Sequence, residues 1–479
     1  MMKNDSTLRP LQKAALAIKE LRARLVAAEA EKQQKNREPI AVIGMACRFP
    51  GGADTPEAFW DILHEGVDTV GAVPAERWAA GDWHDPNQDT AGKIVAREGG
   101  YLAQVDQFDP QFFGISPREA HRMDPQQRLL LMVAWEALER AGIAPESLRD
   151  SQTGVFVGIG QNDYVQKRLY AGQAAEIEAY DGTGNGFSFA AGRVSYVLGL
   201  QGPNLAVDTA CSSSLVTIHL ACQSLRNRES DVALAGGVHL GLAPETGVFL
   251  SRTGAMSPSG RCKTFAADAD GFGRGEGCGI LVLKRLADAE ADGDPILAVV
   301  RGSAVNHDGA SSGLTAPNGR SQVALLQQAL RDAGLTAHEI DYIEAHGTGT
   351  ALGDPIEVES LAEVFGERER PLYLGSVKTN MGHAEAAAGV AGVMKVILSM
   401  QHDTLPRHLH ARELNPRIDW ERLPFEVVQD ERVWDTADGV RRAGVSSFGI
   451  SGTNAHVVLE KGEREKEKGK NGVYGIDHG

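Results

Sequence analysis

The stretch Val207-Asp208-Thr209-Ala210-Cys211-Ser212-Ser213-Ser214-Leu215 sets a cysteine between two kinds of periodicity. An apolar run from Asn204 to Val207 leads into it, and a helical pattern of Val216, Ile218, Leu220 and Ala221 leads out. Such a strand–turn–helix junction places Cys211 at a helix's first turn, where free backbone N–H groups and the helix dipole favour a thiolate. An unperturbed thiol has a pKa of about 8.5, and a helix N-terminus raises the small thiolate fraction present near neutrality. Ala210 and the three serines leave room for a substrate to approach. A lone cysteine is more often a buried packing residue, so the decision rests on the rest of the chain.

Upstream, Thr7 to Asn36 reads as one helix. Leu11, Ile18 and Leu25 are seven apart, and Ala14, Leu21 and Ala28 form a second row offset by three. That is an a/d seam of about three heptads, which predicts a coiled coil with a second copy rather than a helix packed on its own domain. Pro39 to Ala46 is a near-continuous apolar strand of the kind buried on both faces. Pro50 to Pro110 reads as loop-rich. Asp124-Pro125 opens a helix with proline in its first turn. Gly154–Ile159, Val232–Gly237 and Gly279–Lys284 read as strands and Phe187–Val197 as a helix. The order then starts again. Strands are expected at Ile296–Arg301, Asp341–Ala345 and Leu372–Val377, helices at Ser321–Ala333 and Ala386–Met400, and a closing strand at Val457–Glu460. Two βα halves of similar order predict an internal duplication with one site where the halves meet.

Composition narrows the classes of function. The 479 residues carry a formal net charge of −16, which argues against nucleic-acid binding through a global basic field. No apolar run approaches the roughly 18 residues of a membrane span, and the polar N-terminus lacks a signal-peptide pattern. The five cysteines are scattered without a C-x-x-C pair, which fits a reducing cytoplasm and argues against disulfides or a zinc site. Cys222, Cys262 and Cys278 are expected to be packing residues. His402, His408 and His410 form only a weak metal pattern. There is no G-x-x-x-x-G-K-[ST] loop, and Gly271 to Gly279 does not fit G-x-G-x-x-G. After Glu460 the chain becomes a charged run without apolar periodicity, expected to be disordered.

Two histidines lie in glycine-rich turns after strands, in Glu344-Ala345-His346-Gly347-Thr348-Gly349-Thr350 and Asn380-Met381-Gly382-His383-Ala384-Glu385. Such turns lie at the C-terminal edge of a sheet, where open α/β sheets bind ligands. Two matching turns and a helix-capped cysteine favour a shared site.

Together with Lys378-Thr379-Asn380-Met381-Gly382-His383, Gly444 to His456, Glu38 to Gly52, Arg261 to Phe265 and Asp270 to Gly277, these motifs resemble the β-ketoacyl synthases. The resemblance is to the ketosynthase domain of modular type I polyketide synthases and covers roughly residues 38–460. It implies an α/β thiolase-like fold with five-layer α-β-α-β-α packing and a homodimer. Its two halves would be about 38–290 and 291–460, preceded by a docking and dimerisation helix over 1–37 and followed by the tail 461–479. It implies Cys211 as the acyl nucleophile, with backbone N–H groups of Cys211 and Phe448 as oxyanion donors and Phe448 as a gate. His346 and His383 would stabilise the enolate left by decarboxylation, and Lys378 would support them electrostatically. Thr348 and Thr350 would hold the phosphopantetheine arm, and Glu385 would join the charged network. The implied reaction is decarboxylative Claisen condensation of a Cys-bound acyl chain with a malonyl-type extender. The alternative is a transfer-only ketosynthase, against which the two intact histidines argue. The implied partners are acyl carrier proteins, an upstream synthase subunit met by the N-terminal helix, and an acyltransferase in trans or on a downstream portion. No cofactor or metal is expected in the domain itself, no membrane or nucleic acid as partner, and a cytoplasmic location.

Overall fold

Strand β1 (Ile40–Arg48) shows how the layers arise. Ile40 and Val42 point into one apolar cluster, Ala41 and Ile43 into another, so both faces of the strand are covered. A strand buried on both faces needs the continuous apolar run that its sequence supplies. The computed structural model describes residues 38–166 and 174–462. The coiled-coil helix expected over 1–37, and the tail apart from Lys461 and Gly462, lie outside the described residues.

The other strands of the main sheet are β2 (Thr153–Gly158), β3 (Asn204–Val207), β4 (Val232–His239), β5 (Gly277–Arg285), β6 (Ala298–His307), β7 (Tyr342–Glu344), β8 (Leu372–Gly375), β9 (Phe425–Val427), β10 (Arg442–Phe448) and β11 (Thr453–Lys461). They form one eleven-stranded sheet in the order β9-β8-β7-β10-β11-β6-β1-β5-β4-β2-β3. Outward from its centre the sheet reads the same way twice. β1, β5, β4, β2 and β3 on one side match β6, β11, β10, β7 and β8 on the other, with β9 added at the far edge. In each half the first three strands are antiparallel and the next pairings parallel. The halves join where β1 runs antiparallel to β6, Ile40 opposite Val300. The duplication expected from element order is therefore present in the topology.

Six helices complete the layers: α1 (Pro125–Arg140), α2 (Phe187–Leu198), α3 (Ser213–Arg226), α4 (Gly319–Ala333), α5 (Gly353–Phe365) and α6 (Ala388–Gln401). α1 and α2 close an apolar cluster on the outside of the first half, and α4 and α5 close one on the outside of the second. α3 and α6 share the central cluster with strands of both halves. This is five-layer α-β-α-β-α packing. α6 is buried along almost its whole length, which its all-round apolar sequence requires. Asp124 caps α1 by accepting the Gln126 N–H at 2.9 Å, with Pro125 in the first turn, as the sequence predicts.

Several elements were absent from the sequence reading, among them α5 and β9. The loop-rich stretch contains a helix, Pro56–Glu65, capped by Thr55 and closed by Gly66 at φ 64°. Its cap, first-turn proline and terminal glycine are ordinary helix signals, hidden in a segment otherwise rich in turn residues. Strand β10 was not foreseen, although it lies between β7 and β11. Its sequence, Arg-Ala-Gly-Val-Ser-Ser-Phe, is mostly small because its neighbours leave little space. A Cβ at Gly444 would lie 2.5 Å from the His456 ring.

α3 and α6 touch at Gly389, where a Cβ would fall 2.6 Å from Leu215 Cγ and 3.0 Å from Ser214 Oγ. Gly389→Val is expected to lower the unfolding free energy by about 1–3 kcal/mol, the usual cost of overpacking a tight interior. A denaturant titration checks this; an unchanged midpoint would show that the two helices separate freely.

Candidate active site

The turn that carries Cys211 is held by its own polar side chains. Cys211 sits in a 3-10 turn, Ala210–Ser212, two residues before α3 begins. Ala210 has φ 56°, a left-handed conformation that costs a non-glycine residue about 1–2 kcal/mol. Asp208 accepts the Ala210 N–H at 3.0 Å, Ser213 Oγ accepts the Thr209 N–H at 2.9 Å, and the Ser213 hydroxyl donates to the Ala210 carbonyl at 2.6 Å. Ser447 Oγ–H donates to the Cys211 carbonyl at 2.7 Å, which ties the turn to β10 in the other half. The Ile450 N–H and the Cys211 N–H both bond to the sulfur and favour its thiolate. Burial acts in the opposite direction and pushes the thiol up to about 11, with the Glu385 charge adding to it. The sequence reading counted only the helix terminus. Burial is the competing influence that it could not see.

His346 leaves the end of β7. Its backbone N–H and that of Gly347 both donate to the Glu357 carboxylate, each at 2.8 Å. Asp354, one turn earlier on α5, accepts the N–H groups of Gly349 at 3.1 Å and Phe265 at 2.7 Å. Two acids on one helix therefore shape the His346–Thr350 loop. Burial raises them to about 6 (Asp354) and about 7 (Glu357). The His346 ring lies 5.6 Å from the His383 ring at 83°, and 5.4 Å from Phe448. Burial and the Lys378 charge push both imidazoles down, His346 well below its usual range and His383 to about 3. Both shifts favour the neutral imidazole. His383 Nδ1 accepts the Glu385 N–H at 3.2 Å, and its Nε2 has no hydrogen-bond partner among the described residues.

Lys378 is buried, and burial pulls its own pKa down while the Glu344 charge pulls it up. Glu344 is bound by Lys395 at 2.8 Å and by the Tyr342 hydroxyl at 2.6 Å, and it accepts the Val377 N–H beside Lys378. Glu385 lies with Arg274 at 2.8 Å and His239 at 3.3 Å, and the Arg274 and His239 charges hold its carboxyl well below the usual carboxylate range.

Cys211, His346, Thr348, Thr350, His383, Glu385 and Phe448 all line one cavity of about 830 Å³ between the halves. Lys378 is not part of that wall among the described residues, and its charge lowers the pKa of Cys211, His346 and His383. Thr348 and Thr350 hold their hydroxyls 3.4 Å apart. The Phe448 ring stands against His346, and the N–H bonded to the Cys211 sulfur belongs to Ile450, two residues on. β10 ends at Phe448 and the chain turns at Gly449, whose N–H donates to the Thr453 carbonyl at 2.8 Å; the Ile450 amide beyond the turn meets Cys211. Glu357, Asp354, Glu344, Arg274 and His239 were missed. The Asp354–Glu357 spacing, which puts two acids on one helix face, was the available signal for the first pair.

His402, His408 and His410 are engaged by the protein. His402 stacks on Trp60 at 4.2 Å, His408 accepts the Ser376 N–H at 3.2 Å and lies 2.9 Å from the Thr264 carbonyl, and His410 lies 3.1 Å from the Thr379 carbonyl. Cys222, Cys262 and Cys278 are buried. No helix among the described residues is long and apolar enough to cross a membrane.

A cysteine and two histidines meeting at one cavity across a duplicated five-layer fold define a class, and family models agree. The β-ketoacyl synthase N-terminal domain matches residues 37–289, the C-terminal domain residues 297–412, and the ketoacyl-synthetase C-terminal extension residues 415–474. The chain belongs to the β-ketoacyl synthase family. It is 55% identical over 448 residues to a phenolphthiocerol/phthiocerol polyketide synthase protein of Mycobacterium tuberculosis, covering 93% of this chain and 20% of that protein. It is 54% identical over 425 residues to another protein of that synthase from the same organism, covering 89% of this chain and 28% of that protein. The chain thus spans between a fifth and somewhat over a quarter of these relatives. Among solved structures it is similar to the ketosynthase from module 6 of the bacillaene synthase of Bacillus subtilis 168, with TM-score 0.82, 43% identity, 89% of this chain and 72% of that one covered. It is also similar to the oxazolomycin ketosynthase domain KS7 of OzmH from Streptomyces albus JA3453, with TM-score 0.84, 42% identity, 89% and 74% covered.

The Lys378 charge favours thiolate at Cys211 and disfavours imidazolium at both histidines. Lys378→Met is therefore expected to raise the Cys211 pKa and the His383 pKa together. The pH dependence of Cys211 alkylation and histidine titration by NMR check the two shifts; movement in opposite directions would rule out a shared charge effect.

Proposed function

We propose that this chain catalyses decarboxylative Claisen condensation between a Cys211-bound acyl chain and a malonyl-type thioester on an acyl carrier protein. The observation that carries this reading is the meeting of Cys211 from one half with His346 and His383 from the other at one cavity. In the first step the Cys211 sulfur attacks the incoming acyl thioester and expels the carrier's phosphopantetheine thiol. The N–H groups of Cys211 and Ile450 are the donors for the tetrahedral oxyanion. In the second step the malonyl thioester loses CO2 and negative charge builds on its thioester oxygen. Two neutral imidazole N–H donors stabilise that charge without a metal. The enolate carbon then attacks the acyl carbonyl, and Cys211 leaves as thiolate. Thr348 and Thr350 serve the phosphopantetheine arm, and Phe448 with its glycine-flanked loop serves as the gate.

The partners that fit this reading are an upstream donor carrier and the module's own carrier. The heptad seam of residues 1–37 supports docking to an upstream synthase subunit. A homodimer fits the free edge of the sheet. β3 is the terminal strand, and Leu205 on it is 45% exposed. α2 packs beside it, Asn204 Nδ2 donating to the Ala191 carbonyl at 2.9 Å, and presents Phe189 and Tyr196, 42% and 85% exposed. An uncovered apolar edge strand is a template for pairing with another chain. Leu205→Arg is expected to shift the protein from dimer to monomer in light scattering, and an unchanged mass would remove this edge as the contact.

Intact-protein mass spectrometry tests the reaction. A short acyl thioester should add an acyl mass at Cys211, which disappears as a β-ketoacyl carrier protein forms on adding malonyl carrier. Cys211→Ala should abolish loading. His346→Ala should load but fail to condense, and normal condensation by that variant would remove the role given to His346. An acyl mass that persists in the wild-type protein with competent malonyl carrier would mark a transfer-only ketosynthase.

A further inference from the structure

Arg274 lies in the glycine-rich run Asp270–Gly277, which the sequence singles out without giving it a task. It is buried, and among the described residues it is not part of the cavity wall. It is nevertheless joined to the His383 segment twice. Along the backbone, Arg274 and His383 form a parallel bridge. The His383 N–H donates to the Gly273 carbonyl at 2.7 Å, and the Gly275 N–H donates to the His383 carbonyl at 2.8 Å. This approach is close enough that a Cβ at Gly275 would lie 2.5 Å from the Met381 carbonyl oxygen.

The second connection runs through side chains. Arg274 Nε donates to Glu385 Oε1 at 2.8 Å, His239 Nε2 lies 3.3 Å from the same oxygen, and Gln161 Nε2 donates to Oε2 at 3.4 Å. The residue held this way has φ 42°, in the left-handed region that a glutamate seldom adopts. From that conformation the Glu385 N–H reaches His383 Nδ1 at 3.2 Å. A ring nitrogen that accepts a hydrogen bond carries no proton, so the single proton of the neutral imidazole sits on Nε2. Nε2 is the nitrogen without a partner among the described residues.

We propose that Arg274 is a positioning residue for His383: by holding the Glu385 carboxylate it keeps Glu385 in the left-handed turn whose N–H fixes the imidazole proton on Nε2, free to donate to the thioester oxygen. The catalytic half of this statement rests on the function proposed above; the tautomer does not.

Two readouts separate this from a merely structural role. The first is the 15N spectrum of histidine-labelled protein, with the His383 signals assigned by their loss in His383→Asn. Wild-type protein should show His383 as the Nε2–H tautomer, and Arg274→Met should show it mixed. The second is the half-reactions. Arg274→Met should slow malonyl-carrier decarboxylation by roughly a hundredfold, the scale of losing one charge-stabilising donor, with acyl loading of Cys211 much less affected. Arg274→Lys should recover part of the rate. Adding Glu385→Gly to Arg274→Met should recover both tautomer and rate, because glycine reaches the left-handed turn without being held there. If Arg274→Met fails to fold, Glu385→Ala and Glu385→Gly replace it. They remove the same carboxylate and differ in backbone freedom, so only the alanine variant should lose the tautomer. A pure Nε2–H signal in Arg274→Met, or equal tautomers in the two Glu385 variants, overturns the proposal. A wild-type protein that shows the tautomer but no decarboxylation overturns the proposed function and leaves the positioning claim to the NMR result.

Discussion

The site depends on how closely α3 and α6 approach each other. Ser214 Oγ, in the first turn of α3, accepts the backbone N–H of Val390 in the first turn of α6 at 3.0 Å. A helix's first N–H groups have no partner within the helix, so this bond satisfies one of them while fixing the two helix starts side by side. Each helix start is also where one half of the sheet delivers its chemistry. Cys211 lies just before α3, and His383 lies five residues before α6. One contact between small residues therefore sets the nucleophile against the histidine from the other half. The absence of a side chain at Gly389 is what allows it.

Electrostatics then divides the labour. Lys378 lies behind the wall, and its charge acts with opposite consequences on the two kinds of group in front of it. It helps a thiolate and opposes an imidazolium. The proposed reaction needs that combination, because in it a cysteine leaves as an anion and the histidines donate N–H without becoming acids themselves. Burial strengthens the effect on the histidines and works against it on the cysteine. Backbone N–H groups from Cys211 and Ile450 supply the local correction at the sulfur.

Legibility in the sequence followed range. Cys211, His346 and His383 could be read because each sits in a turn of small residues after a strand, with the short helix Lys378–Met381 intervening before His383, and those features are local. The five-layer packing came from the family resemblance; the residues themselves carried the doubly buried strands and the repeated βα order, because a strand covered on both faces needs a continuous apolar run. Arg274 and Glu385 could not be paired, since they are 111 residues apart and meet through a bridge between the Arg274 and His383 segments that the local sequence does not encode. Ile450 was missed for a different reason: which amide past Phe448 turns toward the sulfur depends on the bend at Gly449, and side-chain types do not encode it. β10 was missed because its small residues answer to neighbours that the local sequence does not contain.

The duplication carries a further consequence for chemistry. After β3 the chain enters α3 through a 3-10 turn whose first residue, Ala210, has φ 56°. The matching passage into α6, which follows β8, uses a 3-10 turn whose first residue, Glu385, has φ 42°. The two turns occupy equivalent places in the two halves, and in each an unfavourable conformation is held by a carboxylate. Asp208 accepts the Ala210 N–H, and the Glu385 carboxylate is bound by Arg274. The outcomes differ. In the first half the strained turn is followed by the nucleophile and presents its sulfur to the cavity. In the second half the strained residue follows the histidine, and its N–H determines which ring nitrogen keeps the proton. Strain of this kind persists only where surrounding contacts over-determine it, and it gathers at functional sites. In the proposed reaction a single backbone device, present twice by duplication, thus serves acyl capture on one side of the cavity and charge stabilisation on the other.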